Sequence, residues 1–85
     1  MKILLKLDSS FFTDEQNQSL YNEMIEIDWD LPFIPKKDEL FDFEEIVEEE
    51  KWPSFYEGNL SWSVDFVNYT KKNKALIPVI WLTGE

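Results

Sequence analysis

The chain has 85 residues and no cysteine or histidine, with 18 acids against 8 lysines for a formal charge of −10. That composition excludes a disulfide framework, His- or Cys-based zinc sites, and nucleophile–base pairs of the Ser-His or Cys-His kind. It also sets a strong negative field against nucleic acid and anionic membrane, and only two glycines leave no phosphate-cradling loop.

Near the N-terminus, Lys2 to Leu7 alternates weakly and reads as a strand, broken at Ser9-Ser10. The apolar run Ile3-Leu4-Leu5 is too short for a signal-peptide core, and no segment approaches a membrane span, so a cytoplasmic protein is expected. Thr13 with Gln16 has capping-box spacing and predicts a helix over Asp14 to Tyr21. Ile25, Ile27 and Trp29 then alternate with polar neighbours, which favours a strand within Glu23 to Trp29. The two prolines of Leu31-Pro32-Phe33-Ile34-Pro35 enforce an extended connection. A turn over 35–39 leads into a short strand, Glu39 to Phe43.

Asp42 and Glu45 repeat the capping spacing, and Phe43, Ile46 and Val47 share a helical face, so a two-turn helix over Phe43 to Glu50 is expected. Glu48, Glu49 and Glu50 sit at its C-terminal end, where the dipole disfavours them. Ser54 to Asn59 reads as a surface loop. The densest apolar stretch is Leu60 to Leu82, which reads as two strands around a Lys-Lys-Asn-Lys turn, with Asn73 suited to positive φ. Trp62, Val64 and Phe66 alternate with polar residues, after which the apolar phase moves to Val67 and Tyr69. That slip predicts a β-bulge near 66–67. Trp62 and Trp81 are expected in the core, and Ala75 to Leu82 is expected to be largely covered. Pro78 should face an edge, a bulge or a barrel opening.

Together these elements predict one β-rich α+β domain over residues 1–85: a small antiparallel five-stranded SH3-like barrel with one or two short helices. The run Trp29-Asp30-Leu31-Pro32-Phe33-Ile34-Pro35-Lys36-Lys37-Asp38-Glu39-Leu40-Phe41 loosely resembles small uncharacterised bacterial SH3-like β-barrel domains with an LPFIPR-x-GD-type stretch. Asp38 stands where that pattern has glycine, and aspartate tolerates the left-handed turn. The resemblance implies a fold and no activity.

Function is read from what remains. The acids concentrate in residues 1–50, which carry −11, whereas 51–85 carry +1. A charge run is most often a solvated face, and no calcium-type loop is present among Asp38 to Glu50. Paired carboxylates for glycosidase chemistry have little room beside a core this small. The expectation is a non-enzymatic interaction domain with no cofactor or metal, acting by contact with an unidentified protein that could be basic, or with a second copy. Neither nucleic acid nor membrane is expected as a partner. Its candidate contact residues are an aromatic loop, Trp52, Phe55 and Tyr56 with Phe33, and an acidic face, Glu44, Glu45, Glu48 and Glu49. The alternative is an acidic inhibitor or antitoxin-like protein that imitates a polyanion and docks on a basic target.

Overall fold

The computed structural model describes residues 1–85. Its longest pairing joins β4 (Trp62–Lys72) to β5 (Ala75–Gly84) as an antiparallel ribbon. Asn73 and Lys74 form the two-residue turn with φ of 52° and 69°. Positive φ at both central positions matches the twist of the flanking strands. The remaining elements are β1 (Lys2–Ser9), α1 (Asp14–Tyr21), β2 (Ile25–Asp28), β3 (Leu40–Phe41), α2 (Phe43–Ile46) and a 3-10 turn at Glu49–Lys51.

The five strands form one sheet in the order β2-β1-β5-β4-β3, curled into a half-barrel whose end strands do not meet. The fold is therefore α+β and β-rich as expected, but the sheet is mixed rather than antiparallel. β1 lies parallel to β5, with Leu5 opposite Ile80 and Leu7 opposite Leu82. The reason is visible in burial. Ile3, Leu4, Leu5, Lys6 and Leu7 are all buried, so β1 is covered on both faces, as parallel strands inside a sheet are.

The concave face is filled by the connection from Trp29 to Ser61, which contributes Trp29, Phe41, Phe43, Val47 and Tyr56 to a core shared with Ile3, Leu5, Ile27, Trp62 and Ile80. Expected elements in this cover are shortened. The strand at 39–43 is reduced to Leu40–Phe41, because Phe43 turns into the core as the first residue of α2. The two-turn helix also stops early: Val47 is extended, at φ −101° and ψ 125°. Glu44/Glu48 and Glu45/Glu49 would stand as like charges four apart on a continuous helix, and the terminal glutamates oppose its dipole. Asp42 makes no side-chain cap.

α1 keeps its predicted bounds and its reciprocal cap, with Thr13 Oγ1 accepting from the Gln16 amide and Gln16 Oε1 from the Thr13 amide. Leu20 anchors it to the core. Asn17 replaces a missing strand neighbour: its carboxamide accepts from Ser9 N at 3.1 Å and donates to Ser9 O at 2.9 Å. Thus Ser9 ends β1 rather than breaking it, and the edge beyond β2 is covered.

The bulge falls between Val64 and Phe66, at Asp65, slightly earlier than the side-chain phase indicated. It sends Phe66 to the convex face, where its ring stacks on Trp81 at 4.9 Å. Trp81 is consequently half-buried outside the core, whereas Trp62 is 2% exposed within it. The ribbon outruns β1, so Ala75 and Leu76 are exposed instead of covered. Pro78 pairs in register with Tyr69, one residue before the first β1 partner of β5. Its missing amide falls where the parallel ladder begins. No helix is long and apolar enough to cross a membrane.

Candidate functional site

The predicted aromatic loop is folded onto the core. Phe43 packs against Trp52, Tyr56 and Trp62 with centroids 5.3–6.1 Å apart, and Phe12 adds an edge-on contact to Phe55 at 5.1 Å. Tyr56, read as a loop residue, is only 7% exposed. Its hydroxyl donates to Glu44 Oε1 at 2.8 Å and accepts from Trp62 Nε1 at 3.1 Å. Burial raises this phenol above its ordinary range, the Trp62 bond opposes that shift, and the bond to Glu44 adds to it. Phe33 stands apart, exposed, with its carbonyl accepting the Trp29 indole. All four indole N–H groups are used internally, by Phe33 O, Val47 O, Tyr56 Oη and Asn68 Oδ1. The loop aromatics are thus supplied with partners before any ligand arrives.

The acidic residues divide differently. Glu44 is structural, since its carboxylate holds Tyr56 and the Asn59 amide. Glu45, Glu48 and Glu49 are exposed, while the buried Phe43 before them and Val47 among them hold the segment down. Only Glu26, Asp28 and Asp65 among the eighteen acids lie within 4 Å of a lysine. Glu48 raises the Glu50 carboxyl, first by a hydrogen bond that keeps a proton between them and then by direct repulsion.

The three ion-paired acids lie on the convex side, where Lys2 meets Asp28 at 2.8 Å and Lys72 meets Glu26 at 2.9 Å. Lysine hydrogen bonds and charge lower both carboxyls and raise Lys2. A depressed carboxyl contributes stability above its unfolded pKa, and that contribution is lost as pH falls through the folded value. Removing the Lys2 ammonium should therefore return the Asp28 carboxyl midpoint upward toward its model-peptide value of 3.8, as followed by carboxyl-carbon NMR in Lys2→Met. An unmoved midpoint would dissociate the pair.

A third feature was not apparent from sequence. On the convex face Tyr21, Lys6, Trp81 and Phe66 form a continuous stack. The Lys6 ammonium donates to the Tyr21 carbonyl and lies 5.0 Å from the Tyr21 ring and 5.6 Å from the Trp81 ring. This cation–π sandwich fastens the last turn of α1 to the sheet. Beside it opens a cleft of about 220 Å³, lined in part by Asp8, Gln18, Asp65 and Thr83. The available sequence signal was a lysine, Lys6, set between the core-facing Leu5 and Leu7 of β1. The bulge at Asp65 supplies the opposite wall.

Comparison with known proteins gives no match: no family model fits the chain, and no curated protein or solved structure resembles it closely enough to carry an argument.

Proposed function

We propose that this chain is a non-enzymatic interaction domain that engages a basic protein through the acidic surface of its concave-side cover. The supporting observation is the exposed trio Glu45, Glu48 and Glu49 on a segment pinned to the core by Phe43 and Val47, with none of the three carboxylates within 4 Å of a lysine. The crowding that raises Glu50 is relieved by a cation brought to the same surface. The acidic version of protein–protein contact is favoured over the aromatic-loop version, because Trp52 and Tyr56 already make the hydrogen bonds that recognition would require. An inhibitor that imitates a polyanion is a special case of this reading. The curl of five strands around an aromatic core and φ of 71° at Asp38, the position of the pattern's glycine, favour an SH3-like kinship, whereas the parallel pairing of β1 with β5 departs from the antiparallel barrel of that reading.

The reading is tested with a lysine-rich dodecapeptide titrated against the domain. Affinity should fall on the order of tenfold or more between ~50 and ~200 mM salt, linearly on logarithmic axes. Salt-independent affinity, or none at low salt, would remove it.

A further inference from the structure

From the convex-face cleft we infer a second contact, separate from the acidic cover: a site for one arginine side chain of a protein partner. The walls come from four elements. Asp8 belongs to β1, Gln18 and Tyr21 to α1, and Asp65 to the bulge of β4, with Thr83 and Trp81 of β5 between them. Asp8 has no lysine within 4 Å, and Asp65 has only Lys37, at 3.9 Å. The Gln18 side chain and the Thr83 hydroxyl make no hydrogen bond within the protein, and the Asp8 and Asp65 carboxylates, acceptors only, enrich this lining in acceptors. The charged donor in the cleft, Lys6, already donates to the Tyr21 carbonyl.

These features select a guanidinium over an ammonium. Two carboxylates on opposite walls call for a flat group with several fixed donors, and arginine offers five where lysine offers three. The rings already accept a cation, as Lys6 shows from beneath. With Lys6 positive and Asp8 and Asp65 negative, the lining keeps a net charge of −1, which one arginine neutralises. Lys37 is a competitor at the rim. Its removal should strengthen binding, an effect that a merely structural Asp65 would not produce.

The test uses the whole domain and two blocked tripeptides, Gly-Arg-Gly and Gly-Lys-Gly, titrated by amide chemical shift. The arginine peptide should bind severalfold more tightly and move the Asp8, Asp65 and Thr83 signals. Asp8→Asn and Asp65→Asn, both at exposed carboxylates, should each weaken it about tenfold without lowering the melting temperature. Lys37→Ala should tighten it about twofold. Equal affinity for the two peptides, or unchanged arginine affinity in both asparagine variants, would overturn the site. The acidic cover is probed separately by Glu45, Glu48 and Glu49, so loss of either contact leaves the other measurable.

Discussion

Trp62→Ala should destabilise the domain by about 3–5 kcal/mol, the range for removing a large ring from a packed core. Trp62 is 2% exposed and touches Phe12, Phe43 and Tyr56. A β-carbon built on Gly84 would lie 2.9 Å from its ring, which shows how closely the strand end is fitted to the indole. The substitution also takes from the Tyr56 hydroxyl its closer donor, leaving the Leu60 amide at 3.5 Å, while Glu44 remains its acceptor. A domain of this size holds roughly 4–13 kcal/mol in all, at about 0.05–0.15 kcal/mol per residue. Subtracting the loss leaves from about −1 to about 10 kcal/mol, so the variant is unfolded at the lower end of that range and much more easily denatured at the upper. Trp81→Ala removes a half-buried ring from the convex face and should cost about half as much or less. Urea unfolding followed by circular dichroism gives both numbers. Equal costs for the two tryptophans would contradict the assignment of Trp62 to the core.

Reversing the cover's charge is the second large effect. Glu45→Lys, Glu48→Lys and Glu49→Lys together take the formal charge from −10 to −4. All three side chains are exposed, so the fold should persist. The association rate with a basic protein should fall about ten- to a hundredfold at low salt, and the difference should shrink as salt screens the field. Stopped-flow mixing with a lysine-rich peptide carrying a fluorophore measures it. An unchanged rate would place the contact elsewhere. Glu44 is unsuitable for the same experiment, because its carboxylate closes the bond network of Tyr56 and Asn59.

Features set by neighbours in the chain were legible in advance. The reciprocal cap of Thr13 and Gln16 marks the start of α1, and the polar turn at Asn73 marks the ribbon. The apolar phase change in β4 signals a bulge, although phase alone does not say which residue carries it, since moving the irregularity to Asp65 only transfers Phe66 from one face to the other. What depends on distant partners was less legible. Ile3-Leu4-Leu5 is equally compatible with an edge strand and with the covered strand it becomes, and nothing local makes its pairing with β5 parallel. Trp81 reads as core because its own strand is apolar throughout. It lies outside because the bulge brings Phe66, α1 brings Tyr21 and β1 brings Lys6 to the convex face. For the candidate site, residue type identified acids and aromatics as the available chemistry. Packing separates them, placing Trp52 and Tyr56 against the interior and leaving Glu45, Glu48 and Glu49 outside.

That division can be read directly from the indole N–H signals in a proton–nitrogen spectrum recorded with and without a saturating basic peptide. Trp52 and Trp62 donate to Val47 O and Tyr56 Oη, so their resonances should stay in place while the backbone amides of Glu45, Glu48 and Glu49 move. Displacement of the two indole signals with the glutamate amides unmoved would show that aromatic rings, and not carboxylates, meet the partner.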